Sequence, residues 1–202
     1  MAPAEIAQRT ALVVRAGGVA IFPTDTVYGI GCDPGSAAAV ERIFAAKRRP
    51  VTKPLSLHFA LVDDLLGYAA PNPLLERAAR AFLPGPLTLI VSRPASLGAF
   101  VTGGLETVGL RVPKHALCSA ILRATGPLAA TSANLSGHPA YTGSGLVTEL
   151  PDSDVVVEDG PTELRAESTV IDVTGLRPRL VREGAIKLGM LEEILGTIEA
   201  AT

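Results

Sequence analysis

Val19-Ala20-Ile21-Phe22-Pro23-Thr24-Asp25-Thr26-Val27-Tyr28-Gly29-Ile30-Gly31 is the stretch around which the chain is organised. Its first four residues form an apolar run entered through Gly17-Gly18. Such a run reads as a buried strand, although periodicity alone leaves a helix open. Pro23 ends regular pairing because it has no N–H to donate. Two threonines, an aspartate and a tyrosine follow, closed by glycines at 29 and 31. Polar side chains held just past a strand end are how open α/β sheets build ligand sites. The glycines are expected to turn the backbone or to let a ligand come close. An ordinary strand-exit turn fits the same letters.

The remaining segments agree with an α/β fold. Residues 4–16 have helical spacing, with Gly17 as a stop. Ser36 is placed to cap a helix over 37–46, which runs into the basic segment Lys47-Arg48-Arg49-Pro50-Val51-Thr52-Lys53-Pro54. Residues 55–59 alternate as a strand does. Asn72-Pro73 reads as a cap with proline at the first helical position. Strands are expected at 87–91 and 108–112, a helix at 115–124, and a strand at 128–130 that enters the loop Thr131-Ser132-Ala133-Asn134. Three short strands follow, at 155–157, 169–171 and 180–181, and a last helix begins near Leu188. Residues 136–147, rich in Gly and Ser, read as a mobile loop and not as a linker. Alternating strands and helices followed by clustered strands predict one α/β domain, 1–202, with a mixed sheet.

Composition narrows the function. The 202 residues are 48% hydrophobic but only 4% aromatic, so the core must be built from Ala, Val, Leu and Ile. Eighteen basic residues against 20 acidic ones give a net charge of −2, so any polyanion must be bound by a local patch. The two cysteines, Cys32 and Cys118, and the three scattered histidines form neither a CxxC nor an HExxH pattern, which leaves no metal site to propose. The N-terminus lacks the regions of a signal peptide and no apolar run is long enough for a membrane span, so a cytoplasmic protein without a membrane partner is expected.

Four constellations could carry chemistry. Lys47, Arg48, Arg49 and Lys53 crowd into one proline-bounded segment; Arg offers a fork for phosphate or carboxylate oxygens and Lys a mobile charge. A solvated charged face is the plainer alternative. Ser132 and Asn134 leave an apolar strand together with Thr131, which suits a nucleotide, an amino acid or a simple turn. Thr107 and Arg111, four apart on a strand, share a face, and an arginine among apolar neighbours needs a partner or a cavity. Glu167-Ser168-Thr169 precedes one strand and Arg182-Glu183-Gly184 follows another. Neither GxxxxGK[ST] nor GxGxxG is present, and no covalent catalytic motif is readable.

In order along the chain, PTDTVYGIG (23–31), KRRP (47–50), KPLSLH (53–58), PGPLTLIV (84–91), TVGLRVP (107–113), ATSANLSG (130–137), STVID (168–172) and VREGAI (181–186) resemble the YrdC-type threonylcarbamoyl-AMP synthase family. Many relatives have Pro where this chain has Thr131, while Ser132 and Asn134 are kept. The resemblance implies a twisted mixed sheet with flanking helices around a large positively charged cavity. It implies a nucleotidyltransferase that makes threonylcarbamoyl-AMP and pyrophosphate from L-threonine, bicarbonate and ATP, for the t6A modification of tRNA. Carried over by motif, Thr26, His58, Arg111 and Ser168 would hold threonine. Arg49, Lys53, Thr107, Ser132, Asn134, Thr142 and Arg182 would hold ATP, with Lys47 and Arg49 as the catalytic charges. The assignment of Thr107 and Ser132 between the two ends stays open. Mg²⁺ would be carried by the ATP phosphates. The chain ends soon after VREGAI and so resembles the short, single-domain form, which needs partner proteins for transfer to tRNA and would itself bind tRNA weakly at most. Two other readings are an RNA-binding or ribosome-assembly module, and a nucleotide-binding relative without synthase activity.

Overall fold

The computed structural model describes residues 1–144 and 150–200. In chain order the elements are α1 (Pro3–Arg15), β1 (Ala20–Phe22), β2 (Gly29–Cys32), α2 (Ala37–Lys47), β3 (Ser56–His58), α3 (Val62–Tyr68), α4 (Pro73–Phe82), β4 (Leu87–Ser92), β5 (Thr107–Arg111), α5 (Ala116–Thr125), β6 (Leu128–Ser132), β7 (Val155–Val156), β8 (Thr169–Asp172), β9 (Arg179–Arg182), α6 (Leu188–Leu195) and β10 (Glu199–Ala200). The strands of the described residues join in one sheet of order β10-β9-β8-β4-β5-β3-β6-β2-β1-β7. Pairs β1–β7, β3–β5, β4–β8 and β9–β10 are parallel and the rest antiparallel, so the sheet is mixed as expected.

Period-two alternation sorts the side chains into two faces. Leu57, Leu87, Leu89, Val91, Val108, Leu110 and Ile171 point to one face, where α2, α3, α4 and α6 bring Ile43, Phe44, Leu65, Leu75 and Leu191 onto them. On the opposite face α1 and α5 cover one end, packing Val14, Leu117, Ile121 and Leu122 against Ala20, Phe22, Leu128 and Ala130. The rest of that second face, across β3, β4, β5 and β8, lines a cavity.

Local chemistry sets the helix starts. Ser36 Oγ accepts from Ala39 N–H at 3.2 Å, and Asn72 Oδ1 from Leu74 and Leu75 N–H at 2.8 and 3.2 Å. Each such cap contributes about 1 kcal/mol. Helix α2 ends where Arg48 adopts φ 49°, a left-handed C-cap in a residue other than glycine. This turn points Lys47 and Arg49 in different directions.

The opening stretch departs from expectation in one respect. Gly29 and Gly31 do not form a turn; they lie in β2, antiparallel to β1. A Cβ on either would come within 3.2 Å of the Phe22 ring, so their small size makes room for that ring in the neighbouring strand. The short α3 and the edge strand β10 were not anticipated. Of the loop expected over 136–147, residues 145–147 lie outside the described residues; 136–144 contain neither helix nor strand.

Candidate active site

The cavity, about 400 Å³, has its floor on the sheet. Ser56 and His58 of β3, Thr88 and Ile90 of β4, Gly109 and Arg111 of β5, Ala130 and Ser132 of β6 and Val170 of β8 alternate onto it. The loop 24–28, Arg49, Glu167, Ser168 and Arg182 form the walls. A Cβ at Gly109 would sit 3.0 Å from Thr88 Cγ2, so the missing side chain keeps the middle of the floor open. Three arginines line the space against one glutamate, a positive balance.

One end is buried and fixed. Arg111, 4% exposed, pairs with Asp25 Oδ1 at 2.6 Å, donates to Thr26 Oγ1 at 2.8 Å and, through Nε, to the Gly85 carbonyl at 3.2 Å. Burial draws the guanidinium below its ordinary pKa, and Asp25 pushes it back up. A guanidinium has five N–H groups, so two remain for a ligand. Asp25 and Thr26 are themselves held from behind: Leu164 N–H donates to the Asp25 carbonyl at 2.9 Å and Thr162 Oγ1 to the Thr26 carbonyl at 2.7 Å. His58 is buried beside them, its ring edge-on to Phe22. Burial, and then the Arg111 charge, lower its pKa to about 3, so the imidazole is neutral at physiological pH. Its Nδ1 is shut off from solvent and has no hydrogen-bond partner among the described residues. Ser168 Oγ and Thr88 Oγ1 share a hydrogen bond of 2.9 Å across the floor.

The other end is open. Arg182 pairs with Glu167 at 2.9 Å and donates to the Ser168 carbonyl at 2.8 Å. Arg49 is braced by its own segment, donating to the Lys53 and Pro54 carbonyls at 3.3 and 3.1 Å. Burial lowers the Arg49 pKa, with Glu167 opposing. Beside it lies a second cavity of about 520 Å³, which shares Val27 and Glu167 with the first and includes Asn134, Tyr141, Thr142, Ser144 and Arg165.

The structure therefore brings Thr26, His58, Arg111, Ser168, Arg49, Ser132 and Arg182 into the first cavity, and Asn134 and Thr142 into its neighbour. Lys47, Lys53 and Thr107 are not among the lining residues of either. Lys47 is 1% exposed, and its ammonium donates to the Ser132 carbonyl, the Asn134 carbonyl and, at 3.2 Å, Asn134 Oδ1. Burial lowers its pKa to about 8, with Arg49 adding to the effect and Glu167 opposing it. Its observed contacts hold the Ser132–Asn134 turn. Lys53 is exposed and supplies its carbonyl to Arg49. Thr107 shares the Arg111 face but lies at the far end of β5, opposite Ser92. Sequence reasoning left Asp25, Thr88 and Glu167 without a role. For Asp25 the signal was present: a strand arginine among apolar residues needs a carboxylate, and Asp25 stands in the loop most rich in polar groups.

A family model described as "Telomere recombination", for Sua5, YciO and YrdC, matches residues 12–184. The chain belongs to this family. It is 39% identical over 189 residues to a threonylcarbamoyl-AMP synthase of Pyrococcus abyssi, covering 92% of this chain and 56% of that protein. It is 41% identical over 199 residues to one of Bacillus subtilis, covering 96% and 57%. The chain thus spans little more than half the length of these curated relatives. A solved structure of P. abyssi Sua5 complexed with L-threonine superposes with a TM-score of 0.90 at 35% identity, over 98% of this chain and 59% of that one. The Sua5/YciO/YrdC family is the one to which the eight ordered segments pointed, and its mixed α/β fold is the one found.

Proposed function

We propose that this protein is an L-threonylcarbamoyl-AMP synthase, a nucleotidyltransferase acting on L-threonine, bicarbonate and ATP to supply t6A modification of tRNA. The observation that carries the reading is the cavity itself. A buried polar end, with Arg111, Thr26, His58 and Ser168, runs into an open basic end with Arg49 and Arg182. Similarity to proteins named for that synthase, and to a P. abyssi Sua5 solved with L-threonine, supports it.

The residues divide the work as follows. The two remaining Arg111 N–H groups face the threonine carboxylate. The neutral His58 imidazole, whose Nε2 lies 3.4 Å from Ser56 Oγ on the cavity floor, accepts from the ammonium or the hydroxyl, and Ser168 with Thr88 reads the hydroxyl. The threonine amine attacks the bicarbonate carbon and expels water, giving a carbamate. A carbamate oxygen then attacks the α-phosphorus of ATP, and the bond to the β-phosphate breaks to release pyrophosphate. Such a reaction is driven by positioning and charge stabilisation. Arg49 and Arg182 neutralise the phosphates, while Ser132 and, from the second cavity, Asn134 and Thr142 hold the nucleoside. Lys53 would add a mobile charge from the segment that braces Arg49, and Thr107 would act from the far end of β5, on the Arg111 face. A labile carbamate benefits from a site that excludes water. Mg²⁺ would arrive on the phosphates and supply charge neutralisation there; among the described residues Glu167 is the carboxylate lining the cavity, and no group of three or more acidic, His or Cys side chains could hold a metal ion.

No helix among the described residues is long and apolar enough to cross a membrane, and we place the reaction in the cytoplasm, with transfer to tRNA completed by partner proteins. A single sheet through the described residues supports reading 1–202 as one YrdC-like unit. The RNA-module reading gains nothing from the cavity, whose aromatic lining is Tyr28 and His58, both buried. The test is pyrophosphate release from ATP with L-threonine, bicarbonate and Mg²⁺, and with each omitted in turn. Release that needs all three is expected. Undiminished release without threonine would overturn the synthase reading.

A further inference from the structure

Glu167 is out of place by charge. It lines both cavities, where they meet, and the charged side chains around it in the first cavity are Arg49, Arg111 and Arg182. Its charge reaches Arg49 and Lys47 as well as its direct partner Arg182 at 2.9 Å. A nucleoside triphosphate bridging the two cavities would lay its phosphates at this junction. A fixed carboxylate there opposes a polyanion, yet the site gains from every other charge it presents.

The Arg182–Glu167 pair is also easily exchanged. The two side chains are 43% and 45% exposed, and an ion pair that open to water contributes at most about 1 kcal/mol. Arg182 does not depend on Glu167 for its position, because it also donates to the Ser168 carbonyl through Nε at 3.3 Å and Nη2 at 2.8 Å. Glu167 can therefore leave Arg182 without disordering it. Hydrated divalent cations on phosphates are held through one or two carboxylates. A carboxylate at this junction is repelled by a bare triphosphate and attracted to a cation-loaded one.

We infer that Glu167 makes nucleotide binding depend on the divalent cation: it exchanges Arg182 for the hydrated cation on the phosphates, and so admits the loaded nucleotide in preference to the bare one. This rests on the synthase reading, which supplies the nucleotide. It assigns Glu167 a selective role that a counter-ion for Arg182 alone would not have.

The experiment is calorimetric binding of an ATP analogue with a methylene group between the α- and β-phosphates, to the full chain, in excess Mg²⁺ and in chelator. Wild type, Glu167→Gln and Glu167→Asp are compared. Wild type should bind about tenfold or more tighter with Mg²⁺ than without. Glu167→Gln should bind the bare analogue about tenfold tighter than wild type does, and gain little from Mg²⁺. Glu167→Asp, which keeps the charge, should keep the dependence on Mg²⁺. An equal gain from Mg²⁺ in wild type and Glu167→Gln would overturn the inference while leaving the synthase reading intact. Failure of wild type to bind the analogue even with Mg²⁺ would overturn the nucleotide reading, and this inference with it.

Discussion

Two arginine–carboxylate pairs stand at opposite ends of one cavity, and they differ in nearly every physical respect. The side chains of Arg111 and Asp25 are 5% and 2% exposed and joined at 2.6 Å; those of Arg182 and Glu167 are 43% and 45% exposed and joined at 2.9 Å. Burial makes the first pair costly to break, because either charge left alone is stranded in a poorly solvated site. Water makes the second cheap to exchange. The difference teaches that the same two residue types build a rigid recognition element at one end and a yielding one at the other. On the proposed reading, fixed groups would read a small amino acid, and groups that can move would receive a polyanion with its cation.

The sharpest way to break this contrast is Asp25→Asn. It leaves Arg111 buried without its counter-charge and should cost about 3–5 kcal/mol in urea unfolding. A loss below about 1 kcal/mol would place the two pairs in the same class.

The buried end should also be sensitive to acid. His58 has a folded-state pKa of about 3 against an ordinary value of 6.5. Between those values the unfolded chain carries a proton on this ring that the folded chain does not, so stability falls as pH drops through the window. At about 1.4 kcal/mol per unit the loss amounts to a few kcal/mol. His58→Gln should flatten that part of the pH profile; an unchanged profile would show that the ring is not held neutral by its surroundings.

Lys47 sharpens the contrast from a third position, being a buried cation whose observed acceptors are uncharged oxygens. Lys47→Met should cost about 1–3 kcal/mol in stability by leaving the Asn134 carbonyl without the donor it has here, while the Ser132 carbonyl keeps the Asn134 N–H at 3.1 Å. A normal unfolding curve with lost turnover would instead return Lys47 to the phosphates.

If the fixed end reads threonine, serine should be used less well by about 1–3 kcal/mol in kcat/KM, and valine less well still because it leaves polar partners unpaired. Ser168→Ala should narrow the gap between threonine and valine in competitive turnover. Equal use of the two by the wild type would remove the assignment of this end.

The smallest effect is expected at the open pair. Glu167→Gln should change unfolding stability by no more than about 1 kcal/mol. A loss comparable with that of Asp25→Asn would mean that Glu167 is structural and cannot exchange partners.

Much of the molecule follows from short-range rules that a sequence displays. Ser36 and Asn72 start helices because their side-chain oxygens reach N–H groups two or three residues away. Alternation across 87–91 and 107–111 fixes which residues share a face, and so puts Arg111 with Gly109 and Thr88 with Ile90. The ordered segments are enough to identify the family. Tertiary structure alone decided the rest, since it depends on which distant residues meet. Nothing local distinguishes Lys47 from Arg49, two residues apart; the left-handed Arg48 turns one inward to the Ser132–Asn134 turn and the other toward the cavity. Nothing local pairs Asp25 with Arg111, 86 residues away, or makes the glycines of β2 a space for Phe22. Position along the chain determines a residue's face and its cap. Whether its charge is stranded, shared or free is determined by the dielectric around it, and that comes into being only when the sheet closes and water is excluded.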